Sequence, residues 1–281
     1  MSAGPADASH LRDRAAEGGE EQPLHITSRN NPLIKQVQRL ASDNNAYRRL
    51  GRIWIEGDHL CRAALARQWQ PEIAIFCESN WPLALSQYAL PATKKVVLPD
   101  PLFKEMSGLE SPAQMGFVLT VPASSTMPEP GLPTVVLDRL QDAGNVGSVL
   151  RSAAAFGFAQ VVAVKGSAAL WGPKVLRAGM GAHFGLRLVE GCEAATLAES
   201  LQIPLVVTSS HDGSALQSAK LPWPCAWVMG HEGQGVGEEI FTRASHRVRI
   251  EQPGGEESLN VAAAAAICLH ASAMARVTRK L

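Results

Sequence analysis

The sequence predicts an α/β protein of two domains, a small N-terminal α/β domain followed by a larger, mainly parallel one. Three observations carry this. At about 150 residues per domain, 281 residues suffice for two cores. From about residue 26 onward, short apolar runs alternate with stretches of helical period, the pattern of strands interleaved with helices. A Pro- and Ser-rich run over residues 122–133 divides that series in two.

Residues 1–25 hold few large apolar side chains, so ordering them would cost backbone entropy with little burial in return; a disordered tail is expected. In residues 26–52, Leu33, Ile34, Val37, Leu40 and Ala41 recur at helical spacing among cations, which predicts a basic amphipathic helix. Strands follow at 53–56, 72–78, 95–98 and 117–121, with helices near 58–67, 83–88 and 101–106. The division is a tail (1–25), a first domain (26–122), a linker (123–132) and a second domain (133–281). There, near-continuous apolar strands at 134–137, 160–164, 205–208, 226–229 and 247–250 alternate with helical segments, predicting a parallel sheet covered on both faces. Ligands of such sheets bind at the carboxyl ends of the strands.

Charge and composition narrow the function. Acids and bases balance at 26 each, so no global field recruits polyanions and any nucleic-acid contact needs a local patch. Arg29, Lys35, Arg39, Arg48 and Arg49 form one such stripe; a merely solvated helix face is the competing explanation. Cys61, Cys77, Cys192, Cys225 and Cys268 are widely spaced, with neither a CxxC pair nor clustered His, so neither zinc nor a disulfide framework is expected. No metal is called for, and a reducing cytoplasm is the expected location. The most apolar stretch, residues 261–275, is Ala-rich and carries His270, and the N-terminus lacks a basic, then apolar, leader; neither export nor membrane insertion is expected.

Three loops of the second domain carry the polar chemistry. The first, residues 138–157, follows a strand; Gly144 and Gly147 allow close backbone approach, a helix starting near Gly147 would place Arg151 on its second turn, and Asn145 lies in the turn. The second, residues 229–239, is Gly-rich and carries Glu232, which is either a solvated turn carboxylate or a group orienting a substrate or a neighbouring Arg. The third, residues 250–261, leads into the Ala-rich helix, with Ser258 as its expected N-cap and Asn260 in its first turn, where Asn is a poor helix former.

Taken in order, Asn145 with Arg151, then Gly230-His-Glu-Gly-Gln-Gly235, then Ser258-Leu-Asn260 closely resemble the three motifs of the SpoU/TrmH family of RNA ribose methyltransferases, over residues 133–281. The opening of the first domain, residues 26–35, and Trp54-Ile-Glu-Gly57 more loosely resemble the ribosomal-protein-like substrate-binding domain of many members. The resemblance implies a trefoil-knotted α/β domain, one of the few exceptions to the rule against threaded loops. It also implies a homodimer and S-adenosyl-L-methionine held by Gly230, Ile250 and Leu259, with Thr208 and Ser209 as further contacts at another strand end. Asn145 and Arg151 would then approach the target ribose and its phosphate, with Glu232, Ser258 and Asn260 completing the polar surround. The substrate-binding domain favours ribosomal over transfer RNA, because the family's transfer-RNA enzymes often lack it.

Two departures stand out: the usual Asp-Pro of the first motif is Asp142-Ala143, and the usual Ile-Pro-Met of the third is Ile250-Glu251-Gln252. A dinucleotide-dependent oxidoreductase is the first rival, yet Gly233-x-Gly235-x-Gly237 is not GxGxxG and comes late in the chain. The second is an RNA-binding or ribosome-assembly factor that kept the fold and lost catalysis.

Overall fold

The structure is a computed structural model that describes residues 22–88, 90, 93–122, 127–209, 213–254 and 258–278. The first domain is built on a five-stranded sheet, β1 (Leu24–His25), β2 (Arg52–Glu56), β3 (Ile73–Cys77), β4 (Lys94–Leu98) and β5 (Met115–Thr120), in the order β1-β4-β3-β5-β2. β1 and β3 run parallel to β4, whereas β5 runs antiparallel to β2 and β3.

Around it lie α1 (Pro32–Ser42), α2 (Ala46–Leu50), α3 (Asp58–Ala66), α4 (Trp81–Gln87) and α5 (Asp100–Met106). β1 falls inside the expected tail: Leu24 pairs with Val96 and His25 with Val97, so the ladder orders residues that carry little apolar surface. Residues 1–21 lie outside the described residues.

The expected single basic helix is two. Asn31 caps α1 by accepting the Leu33 N–H at 2.9 Å, and Pro32 sits where its missing N–H costs nothing. The chain then turns extended at Asp43, and α2 closes on Gly51 in the left-handed conformation (φ +64°). The apolar spacing does read out correctly, since Ile34, Val37, Leu40 and Ala41 are the buried residues of α1.

The second domain carries β6 (Thr134–Leu137), β7 (Gln160–Val164), β8 (Arg187–Cys192), β9 (Leu205–Thr208), β10 (Ser214–Ala215), β11 (Ala226–Met229) and β12 (His246–Arg249). Their order is β10-β12-β9-β11-β6-β7-β8, and every neighbouring pair is parallel. Helices α6 (Ala143–Ala155), α7 (Pro173–Gly179) and α10 (Val261–Thr278) pack one face, and α8 (Leu197–Leu201) with α9 (Glu238–Phe241) the other. Both faces are therefore covered, as the largely apolar central strands β6, β7, β9 and β11 require.

α10 is the one helix of the described residues long and apolar enough to cross a membrane. It instead lays Ala265, Cys268 and Leu269 into the core, and Ser272 Oγ accepts from buried Trp227 Nε1 at 2.8 Å.

The two domains share a core. Ile53, Ile55 and Phe117 of the first belong to the same apolar cluster as Trp171, Leu176 and Phe184 of the second. Polar struts reinforce the join: Tyr47 Oη donates to the Glu190 carboxylate at 2.7 Å, Trp69 Nε1 donates to the Phe184 carbonyl at 3.2 Å, and Arg177 Nη1 to the Gly108 carbonyl at 2.9 Å. Burial, together with Glu190, holds the Tyr47 phenol protonated well above its ordinary range. The expected linker is also tied down where it is described, through Glu129 N–H to Gln160 Oε1 and Gly131 N–H to the Leu201 carbonyl. A shared apolar cluster and these hydrogen bonds pack the first domain against the second.

Candidate active site

The polar loops converge at one edge of the parallel sheet. Ile250 follows β12, Thr208 ends β9 with Ser209 beyond it, Gly230 follows β11, and Asp138 follows β6. These are four adjacent strands, so the loops stand side by side at a spacing of about 4.8 Å per strand. Ser209 N–H donates to the Val248 carbonyl at 3.0 Å, fixing the end of β9 against β12.

Glu232 holds the first and second loops together. Its Oε1 accepts the Asp142 N–H at 3.2 Å and Asn145 Nδ2 at 3.4 Å, and its Oε2 accepts the Gln141 N–H at 3.5 Å. Partial burial opposes the charged form. The N–H groups of Glu232 itself and of Asp142 and Gln141, with the Asn145 amide, outweigh it, and the carboxyl sits below its ordinary value. Its partners are thus amides of the first loop and not an arginine, and the residue is exposed rather than enclosed among glycines.

Asn145 passes the connection to the third loop, because its Oδ1 accepts from Asn260 Nδ2 at 3.0 Å. Asn260 is also the residue that caps α10: its Oδ1 accepts the N–H groups of Ala262 at 2.9 Å and Ala263 at 3.3 Å. This corrects two sequence expectations, Ser258 as the cap and Asn260 inside the first turn. Ser258 is exposed three residues before the helix and makes no hydrogen bond among the described residues.

The first helix starts earlier than expected as well. Asp142 caps α6, its Oδ1 accepting the Asn145 N–H at 2.7 Å, so Asn145 lies in the first turn and Arg151 one turn further along than predicted. Gly147 is inside the helix because α7 passes too close for a side chain: a Cβ there would lie 2.4 Å from Ala178 Cβ and 2.7 Å from Gly179 N. Arg151 is exposed and makes no hydrogen bond or ion pair among the described residues, so its guanidinium is available to an incoming anion.

Sequence reading missed a clasp at the end of β6. Asp138 is buried, and its Oδ2 accepts the Gly237 N–H at 2.6 Å. Arg139 grips the same carboxylate through Nε at 2.9 Å and Nη2 at 3.2 Å, while its Nη1 donates to Gln234 Oε1 at 3.2 Å. To do so it adopts φ +60°, a conformation disfavoured for a side chain of this size. The sign in the sequence was a carboxylate placed directly after the three apolar strand residues Val135, Val136 and Leu137. The second loop also closes on itself, with His231 and Gly235 exchanging N–H···O bonds at 3.0 and 2.8 Å; a Cβ on Gly230 would lie 2.3 Å from Val236 N.

In the third loop Glu251 is turned away by Arg249, whose Nη2 donates to it at 2.7 Å, and the carboxamide oxygen of Gln252 is buried with no hydrogen-bond partner. Ile250 is half-buried against the core and Leu259 exposes 39% of its surface. A buried acceptor lacking a donor, beside apolar side chains, suits a ligand that brings both a flat apolar body and N–H groups. The residues fit S-adenosyl-L-methionine. Among the described residues no group of His, Cys, Asp and Glu is placed to hold a metal.

Comparison with known proteins agrees with this arrangement. Residues 133–270 match the SpoU rRNA methylase family and residues 31–116 the MRM3-like substrate-binding domain. The 23S rRNA (guanosine(2553)-2′-O)-methyltransferase of Bacillus subtilis is 29% identical, over 77% of this chain and 86% of its own length. The solved structure of an RNA methyltransferase of the TrmH family from Porphyromonas gingivalis is 30% identical and covers 85% of this chain and 95% of its own, with a TM-score of 0.74. That of the SpoU methyltransferase AviRb from Streptomyces viridochromogenes with bound AdoMet shares the fold at 24% identity and a TM-score of 0.76, covering 88% and 100% of the two chains. Three loops joined through Glu232, Asn145 and Asn260 at the edge of a parallel sheet, with these matches across both domains, place the chain in the SpoU/TrmH family of RNA 2′-O-ribose methyltransferases.

Proposed function

We propose that this chain methylates a ribose 2′-hydroxyl of ribosomal RNA, with S-adenosyl-L-methionine held by Gly230, Ile250 and Leu259 and flanked by Thr208 and Ser209. The observation that carries the reading is the Glu232–Asn145–Asn260 chain of hydrogen bonds, which draws three loops distant in sequence into one polar floor at the start of α6, the helix that carries exposed Arg151. When bound, the cofactor supplies an electrophilic methyl group on its sulfonium.

The protein's own task is to align the 2′-oxygen and stabilise charge as it develops. Arg151 is permanently cationic and cannot serve as a base; it faces the developing alkoxide and the adjacent phosphate while a phosphate oxygen or water takes the proton. Glu232, with its lowered affinity for protons and its amide partners, holds the Asn145 loop rather than moving a proton. Ser258, exposed at the mouth of the third loop, contacts the RNA.

RNA is recognised by shape and phosphate contacts over the first domain. Arg29, Lys35 and Arg39 are exposed and lead that surface. Arg48 and Arg49 are also exposed but already occupied, by Glu190 at 3.1 Å and by Asp43 at 2.7 Å, so they contribute less than the spacing implied.

What supports a homodimer is α10, which buries one side and exposes Ala263, Ile267, His270, Met274 and Val277 at alternating intervals of four and three, the spacing of a seam between paired helices. A second copy of the chain covers that seam. The trefoil knot and a cytoplasmic location complete the proposal.

Methyl transfer from labelled cofactor tests it: label in ribosomal RNA and not in transfer RNA is expected. Cofactor binding without transfer to either would leave an assembly factor that lost catalysis.

A further inference from the structure

The departure Glu251-Gln252 has a structural logic. Glu251 is already paired, because Arg249 holds its carboxylate through both Nε and Nη2, at 3.3 and 2.7 Å. Gln252 is different. Its Oε1 is buried without a donor, beyond the carboxyl end of β12, and a buried carboxamide oxygen left unpaired destabilises a fold that gains nothing from it. Such an orphan in a ligand-facing loop marks a contact completed by the ligand.

Of the donors on S-adenosyl-L-methionine, the α-ammonium carries a charge that a neutral amide does not compensate when buried. The ribose is ringed by hydroxyls that need several polar partners. The exocyclic amine of adenine is neutral, projects from a flat apolar ring, and suits an unpaired acceptor in the loop that also carries half-buried Ile250.

We infer that Gln252 is a specificity-determining residue that accepts a hydrogen bond from the 6-amino group of the cofactor's adenine. The inference rests on the proposed placement of the cofactor between the second and third loops. Methionine, usual at this position, cannot make so strong a bond, since a thioether is a weak acceptor.

The test uses the full chain and two probes, S-adenosylhomocysteine and its 6-deamino analogue, in which a hydrogen replaces the amine. Isothermal titration of the wild type should show the adenosyl compound binding at least about tenfold more tightly, as a site built to hydrogen-bond a group rejects the analogue that lacks it. Gln252→Met should weaken adenosyl binding about five- to tenfold and binding of the 6-deamino analogue less than about twofold, collapsing the preference. Because that variant removes an unpaired buried acceptor, its unliganded melting temperature should equal or exceed the wild type's, which separates impaired recognition from impaired folding.

Equal weakening of both ligands, or an unchanged preference, would overturn the role of Gln252. Hydrogen exchange across residues 229–237 and 248–261 tests the placement separately. Ligand protection there with an unchanged preference removes only the Gln252 hydrogen bond, and absence of protection removes the placement itself.

Discussion

Asn145 Oδ1 accepts a hydrogen bond from Asn260 Nδ2 at 3.0 Å, joining loops that lie 115 residues apart in the chain. Asn260 does two things with one amide: the nitrogen bridges to Asn145 while the oxygen caps α10. The substitutions Asn260→Asp and Asn260→Ala separate them. Aspartate keeps the cap and loses the bridging donor, so stability should stay near wild type while kcat falls about ten- to hundredfold through misplacement of the first loop. Alanine loses both, with about 1 kcal/mol of stability as well. Chemical denaturation beside steady-state methyl transfer reads the two effects apart.

Arg151→Ala should lower kcat by about two to three orders of magnitude and leave cofactor affinity unchanged, because the role proposed for the side chain is toward the RNA and not the cofactor. Arg151→Lys should recover little, since an ammonium lacks the planar fork that spans an alkoxide and a phosphate. A lysine enzyme with most of the wild-type rate would count against this role, and single-turnover kinetics decide it.

Acid should release Glu232. Its carboxyl titrates below the ordinary value in the folded protein, so its contribution to stability is fully present above that ordinary value and is lost as pH falls through the lowered one. The wild type should therefore melt above Glu232→Gln at neutral pH, with the difference closing on acidification. Paired thermal melts between about pH 7 and about pH 3 check the sign.

The approach of α6 to α7 should tolerate no side chain at Gly147. A methyl would lie 2.7 Å from the Gly179 nitrogen, and backbone cannot yield as a flexible side chain can. Gly147→Ala should cost about 1–3 kcal/mol in urea unfolding.

On the RNA side, replacing Lys35 and Arg39 with glutamine should reduce the salt slope of ribosomal RNA binding by about 2, roughly one for each phosphate that is no longer neutralised. Arg48→Gln should instead loosen the domain junction through Glu190. Ile267→Asp with Met274→Asp should convert a dimer to a monomer in light scattering, as both side chains are over 40% exposed on α10.

Much of this fold was legible because parallel strands buried on both sides announce themselves as apolar runs. β6, β7, β9 and β11 span the expected residues, and β12 is displaced by one. β8 escaped because it is an edge strand with a bulge, where Arg187, Glu190 and left-handed Gly191 interrupt the apolar pattern. The start of α6 and the cap of α10 were misplaced for a common reason. Asp142 and Asn260 each stand near other capping or turn-forming residues, and only the hydrogen bonds say which one starts the helix.

The residue types of the site were readable, but its connections were not. Glu232 meeting Asn145, and Asp138 meeting Gly237, depend on which strands become neighbours, which local sequence does not encode.

The central claim is methyl transfer to a ribose oxygen directed by Arg151. Its most direct measurement is nucleoside mass spectrometry of ribosomal RNA incubated with labelled S-adenosyl-L-methionine and either wild-type or Arg151→Ala protein. The account predicts label on a single ribose 2′-oxygen with the wild type and almost none with the variant. Label on a base, or equal ribose label from both proteins, would contradict it.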